Sequence, residues 1–380
     1  MNRRQRLMAT LRGEVVDRPP VCFYELNGLD ENPSLEDPYN IYSHPSWLPL
    51  LELTRQRTDR IVMRSVEFKA AFPSPLKERT TLEIWVDNAG SRFTRRTVRA
   101  GSRALTELTR RDPDVNTDWT VEHLLKSEAD VAAFLEIPPH TEPGEPDITS
   151  VLQAEAELGD SGIVMIDTPD ALCEADQLFH LATYTLIAFT NQTLFHRLLE
   201  WFAISRSQKT ERVAQALPGR LWRIYGPEYA SPPYLPPRLF KEYVVRYDTP
   251  LIQTIQRYDG YARIHSHGRL SQILDEIVST GCDGLDPIEP PPQGDVSLAY
   301  VRQRYGRQLV LFGNLESSDL ENLPEDQFRV KVRTALAEGT AGAGRGFVLM
   351  PSACPYGRVL APLALANYHT MVEEAENYYL

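Results

Sequence analysis

The chain has 380 residues, of which 42% are hydrophobic and 24% charged, and 52 acidic against 40 basic side chains give a formal net charge of −12. That length suits one large α/β barrel or two ordinary domains, and the composition is that of a globular chain with a substantial core. The charge repels phosphate backbones, and the arginines near 2–6 and 92–103 are interleaved with other residues, so no nucleic-acid partner is expected.

Cys22, Cys173, Cys282 and Cys354 are scattered without a CxxC, which argues against a disulfide framework and fits a reducing cytoplasm. The N-terminus lacks the apolar stretch of a signal peptide. The longest apolar run, at 181–189, is too short to span a bilayer, so a cytoplasmic chain with no membrane partner is expected.

In chain order, residues 2–12 carry Leu7, Met8 and Leu11 at helical spacing, with Gly13 as the stop. Asp17-Arg18-Pro19-Pro20 leads into an apolar strand at 21–24, and a second strand is expected at 61–66. Between 80 and 108 the pattern becomes alternating, as in Leu82-Glu83-Ile84-Trp85-Val86, and Asp87-Asn88-Ala89-Gly90 supplies a turn. This predicts an antiparallel β-hairpin insertion at about 80–110. A proline-rich connector follows at 137–146.

From there a short apolar run, a polar loop and an amphipathic helix repeat. The runs lie at 163–166, 221–225, 261–265, 283–285, 309–312 and 347–350. Helices are expected at about 174–189, 237–258, 270–280, 296–305, 325–338 and 363–378. With the first two strands this makes eight βα units, and the whole chain, 1–380, is expected to form a single (β/α)8 barrel with an N-terminal helix.

In such a barrel the active site lies at the carboxyl ends of the strands. Those ends hold Glu25, Glu67, Asp167, Glu228, His265 with His267, Asp286 with Glu289, Asn314 with Glu316, and Cys354. Each alone reads equally well as a helix cap or loop residue; their coincidence at nearly every strand end points to one acidic, histidine-containing mouth. His265 and His267, at i and i+2 of an extended segment, share a face, and Gly268 allows a turn after them. With Cys354 they form a candidate three-ligand metal set with one position left open. Arg263 shares that face and is the candidate clamp for a substrate carboxylate, with Arg269 and Arg358 as other nearby cations. Tyr225, Tyr229, Asn314 and Tyr356 are candidate substrate contacts, and Glu228 and Asp167 candidate catalytic acids beside His265.

Several segments together resemble the uroporphyrinogen decarboxylase-like superfamily over nearly the full chain. They are the opening through Asp17-Arg18-Pro19-Pro20-Val21, Tyr225-Gly226-Pro227-Glu228-Tyr229, His265-Ser266-His267-Gly268, Gly281-Cys282-Asp283-Gly284-Leu285-Asp286-Pro287, Gly313-Asn314 and the stretch 346–355. The resemblance implies one of two activities. Decarboxylases of the superfamily use no metal and grip substrate carboxylates with an arginine-rich motif. The corresponding Phe23-Tyr24-Glu25-Leu26-Asn27-Gly28 has no arginine here. The other branch holds zinc-dependent methyltransferases that work with a corrinoid protein. Its His-x-Cys and late Cys ligands map onto His265, His267 and Cys354, with His267 standing where that branch has cysteine. The resemblance therefore implies a zinc-dependent methyltransferase on a small-molecule substrate, with a corrinoid as methyl donor or acceptor. A metal-free carboxy-lyase on a porphyrin-like or other carboxylate substrate is the alternative, and a homodimer is expected by analogy.

Overall fold

The computed structural model describes residues 1–378. Its centre is a curled, all-parallel seven-stranded sheet with helices packed around it, an α/β architecture. The strands are Arg60–Arg64, Gly162–Pro169, Leu221–Tyr225, Tyr261–Ser266, Gly284–Pro287, Val310–Leu315 and Gly346–Pro351, adjacent in chain order. The strand expected at 21–24 is reduced to one bridge, Val21 to Leu349. Pro19 and Pro20 lack amide donors, and Tyr24 turns the chain away at φ 53°. The segment still touches both edges of the sheet. Cys22 N donates to Leu349 O at 3.0 Å, and Asp59 N, just before the first strand, donates to Val21 O at 2.7 Å.

The opening motif has a structural task. Buried Asp59 accepts from Arg6 at 2.6 Å, Arg18 at 2.8 Å and Val21 N at 2.9 Å, while Arg6 also forks onto Asp17 at 2.6 and 2.8 Å. This lock seats helix Arg3–Arg12, which begins with a capping box of Asn2 and Gln5 and ends at Gly13 with φ 72°. Its Leu7 and Leu11 enter the apolar cluster made by the inward residues Ile61, Ile163, Met165, Leu221, Val310, Phe312, Val348 and Met350. The amino end of the sheet is thus sealed, and polar chemistry is left to the carboxyl ends.

The region expected as a hairpin is a four-stranded antiparallel sheet running from Thr80 to Glu122. Several of its arginines are engaged: Arg96 pairs with Glu107 of the same sheet at 2.9 Å, while Arg103 pairs with Asp130 at 2.7 Å and Arg92 stacks over Tyr39 at 4.5 Å, both outside it. The helix expected at 174–189 is two helices, Ala171–Asp176 and Leu181–Thr190, the second capped by His180 Nδ1. A 25-residue helix, Gln192–Ala216, follows where none was expected. Its Phe195, Leu198, Leu199 and Phe202 are buried at the three- and four-residue spacing that marks a helix face. No helix is long and apolar enough to cross a membrane among the described residues.

Candidate active site

The register places Tyr225, His265 and Asp286 abreast on three neighbouring strands. His265 Nδ1 lies 2.8 Å from Asp286 Oδ2. Two residues on, His267 Nδ1 lies 2.8 Å from Glu289 Oε1, whose other oxygen accepts from Gly268 N at 2.8 Å. Ile288 sits between the two acids at φ 55°, an unfavourable conformation for a β-branched residue. That turn lets acids three residues apart meet histidines two residues apart. The imidazoles stand 4.6 Å apart, edge to face. His265 is 5% exposed, and its Nε2 faces the Tyr24 hydroxyl at 3.4 Å. Burial opposes charge on His267, but the bond and charge of Glu289, with the charges of Glu228 and Asp286, together outweigh it and raise its pKa.

Beneath the histidines runs a buried charged seam. Arg223 forks onto Asp167 at 2.6 and 3.1 Å and donates its remaining arm to the Tyr24 hydroxyl. Arg263 lies 2.8 Å from Asp286 and 4.8 Å over the Phe312 ring. Gly284, opposite Arg263 in the register, makes room: a Cβ there would come within 2.9 Å of Phe312 and 3.5 Å of the Arg263 stem. Burial alone would raise the Asp286 pKa, but Arg263, His265 and Arg223 reverse that and lower it.

Arg263 is thus not the expected carboxylate clamp. It is 1% exposed and already neutralised. Arg358 is equally committed, to Asp114 at 2.6 Å and to several loop carbonyls. Arg223, the cation that organises the seam, was legible as a charge at the centre of the apolar run Leu221-Trp222-Arg223-Ile224, two residues before Tyr225 and so on its face.

Glu228, Tyr229, His267, Gly268 and Arg269 line one cavity of about 580 Å³ with Asp176, His123 and His180, under walls that include Phe179, Pro232 and Tyr234. Glu228 also accepts from Gly226 N at 2.9 Å, so it holds its own turn while facing the cavity. Burial, with Glu228 nearby, pushes the Asp176 carboxyl up to about 7. Sequence reading missed Asp176, which sits at the end of a short helix rather than at a strand end.

The other expected residues are dispersed. Asp167 and Tyr225 line a different cavity. Asn314 shares the inward phase of Val310 and Phe312 but makes no side-chain hydrogen bond among the described residues. Tyr356 is 58% exposed, and its carbonyl accepts from Asn116 N. Cys354 Sγ lies 3.8 Å from Glu25 Oε2, where burial and Glu25 raise the thiol pKa well above its usual value. A cysteine ligand must be a thiolate, so that setting works against metal binding. The structure brings His265 and His267 together, but among the described residues no group of three or more His, Cys, Asp or Glu side chains could hold a metal ion. The three-ligand set with Cys354 is therefore not assembled among the described residues.

The model of the uroporphyrinogen decarboxylase (URO-D) family matches residues 183–378, more than half of the chain. The chain belongs to the uroporphyrinogen decarboxylase family. The matched span holds both histidines and their carboxylate partners. Among solved structures, a methyltransferase from Methanosarcina mazei is 16% identical over the full length of both chains, with a TM-score of 0.63. A D-psicose 3-epimerase is 9% identical over 61% of this chain and 91% of its own, with a TM-score of 0.31. No curated protein matches.

Proposed function

We propose that this member of the family is a methyltransferase-type enzyme that moves a methyl group between a small molecule and a carrier, a corrinoid being the expected one. The observation that carries this is the His267–Glu289 pair opening on a cavity that also holds Asp176 and Glu228. An acceptor thiol or hydroxyl in that cavity must lose its proton as it takes the methyl group. Asp176, with its carboxyl near 7, accepts that proton close to neutral pH. His267, whose pKa Glu289 helps to raise against burial, stabilises the developing anion in its protonated form. Arg269, exposed at the rim, and the Tyr229 ring orient the acceptor. The His265–Asp286 pair, over the Arg223–Asp167 seam, fixes the strand that presents His267.

Zinc, if bound, would act as a Lewis acid that lowers the acceptor pKa, and His265 and His267 are the residues offered to it. The carboxy-lyase alternative needs cations free to grip substrate carboxylates. Arg223, Arg263 and Arg358 are all ion-paired, and only Arg269 reaches the cavity.

The test is methyl transfer from methylcobalamin to a panel of thiols and phenols by the purified chain, alongside its zinc content. The expected result is transfer that falls about a hundredfold in His267→Ala, in line with the loss of one donor to the developing anion. Release of carbon dioxide from uroporphyrinogen, with no methyl transfer to any acceptor, overturns the reading.

A further inference from the structure

A second cavity, of about 620 Å³, lies at the carboxyl ends of the Arg60–Arg64 and Gly162–Pro169 strands, on the side of the sheet covered by helix Gln192–Ala216. Its size suits a small organic ligand. One wall is a strap, residues 65–74, pinned through its Glu67–Lys69 stretch. Glu67–Lys69 pairs antiparallel with Glu145–Asp147, and Gly144 O, at the foot of the second strand, accepts from Arg212 at 2.6 Å. Gly144 itself is packed so closely on the strap that a Cβ would come within 2.3 Å of Lys69 O. The wall is therefore built into the fold.

The lining divides into an apolar part and a cationic part. Phe68, Phe72, Pro73, Pro143, Pro169 and Val213 make the apolar part, and Phe72 is left 79% exposed at the rim. Lys77, His140, Arg206 and Lys209 make the cationic part. Arg206 is engaged by Glu174 at 2.8 Å, and Lys77 is exposed. Lys209 is different. It is partly buried with its ammonium 5.8 Å from the centre of the Phe68 ring, and it has no carboxylate within ion-pair distance among the described residues. Burial, reinforced by Arg206, lowers its pKa, and burial with the Lys209 charge added lowers that of His140. The acids around it answer it only from a distance: Glu174 and Glu67 raise its pKa against burial without pairing with it, Glu174 being held by Arg206 and Glu67 exposed, and Asp167 is taken by Arg223. A partly desolvated cation without a counter-ion, at the end of an apolar hollow, is complementary to an anion on an apolar body.

We propose that this cavity binds a small carboxylic acid with a ring-bearing apolar body, its carboxylate paired with Lys209 and its ring covered by Phe68 and Phe72. The site is separate from the cavity that holds His267, so it stands or falls independently of the methyltransferase reading.

Benzoate and its uncharged counterpart benzyl alcohol test this by calorimetric titration of the whole chain. Benzoate is expected to bind at least tenfold tighter than the alcohol. Lys209→Met keeps the apolar stem and should abolish the preference while leaving the alcohol's affinity within about twofold. Equal binding of both probes to the unaltered chain, no binding of either, or a benzoate preference that survives Lys209→Met overturns the proposal. Should that variant fail to fold, acylation of the unaltered chain gives the answer. Benzoate should slow labelling of Lys209 severalfold without slowing that of exposed Lys241, and equal slowing of both or of neither overturns the proposal.

Discussion

The middle of the parallel sheet and its two flanks use the same inward-facing strand positions in opposite ways. On the flanks those positions are Ile61, Met63, Val310, Phe312, Val348 and Met350, and they form one apolar cluster. In the middle only the amino-end positions Ile163, Met165 and Leu221 join that cluster, and beyond them come Asp167, Arg223, Arg263, His265 and Asp286, all held in ion pairs or hydrogen bonds. The flanks gain from removing apolar area from water, and each residue contributes largely by itself. The middle gives up hydration and recovers it only through partners, so its residues stand or fall together.

That contrast has a direct test, and it carries the largest expected effect. Asp286→Ala leaves Arg263 buried without its counter-charge and removes the partner of His265, which should cost about 3–5 kcal/mol of unfolding free energy in a denaturant titration. Met350→Ala on the flank should cost about 2–5 kcal/mol through lost burial and a cavity. The two differ in rescue. The double change Arg263→Met with Asp286→Leu should lose less than Asp286→Ala alone, because no buried guanidinium is left stranded. A double variant as unstable as the single one, or more so, would show that Arg263 and Asp286 do not act as a pair.

The same division explains what was legible in the sequence. Parallel strands buried on both faces read as apolar runs, so all seven were placed within a few residues, as was the histidine pair at the end of one of them. The 21–24 strand failed because Pro19 and Pro20 just before it lack ladder donors and Tyr24 turns the chain away, which an apolar run does not reveal. The Gln192–Ala216 helix was passed over because its charged outer face masks the Phe195, Leu198, Leu199 and Phe202 stripe. Within the site, phase correctly put Arg263 on the face of the histidines, but phase says nothing about whether a charge is already neutralised. Asp286 sits on the neighbouring strand, and only the register joins it to Arg263. Asp176 escaped for the complementary reason. Its chemistry comes from burial beside Glu228, a contact between segments fifty residues apart.

A second carboxylate pair sharpens the contrast from the other side. Asp170 and Asp248 are both wholly buried, and three of their four carboxylate oxygens have no hydrogen-bond partner. Burial raises the pKa of each, and their mutual proximity adds to the rise for Asp170. A carboxyl whose folded pKa lies above its unfolded one contributes stability that is present at acid pH and lost as pH climbs toward the folded value. Asp248→Asn keeps the shape, removes a charge and offers Asp170 a donor. It should therefore be more stable than the unaltered chain at pH 8, by about 1–3 kcal/mol, with the gain shrinking toward pH 4. Thermal unfolding across that range decides it. A variant less stable at pH 8, or a gain that does not depend on pH, would mean that these carboxyls are ionised and matched in the fold.

The smallest effect on stability belongs to His267, which stands at the edge of the charged middle and is the part of it that meets the cavity. Its side chain is 37% exposed, so solvent screens its pair with Glu289, and Glu289→Gln should cost no more than about 1 kcal/mol. The informative quantity is the proton. Because Glu289 raises the His267 pKa, this pair contributes stability that is complete below the usual histidine pKa and is lost as pH rises through the folded one. Replacing Glu289 with glutamine removes the anion but keeps an acceptor for the ring N–H, so the His267 resonances in an NMR titration should move their midpoint downward, while those of exposed His180 stay put. If His267 in the unaltered chain already titrates below a free histidine, burial outweighs Glu289. The imidazole would then meet the cavity as a neutral base, and the proton in the proposed transfer would run to His267 rather than to Asp176.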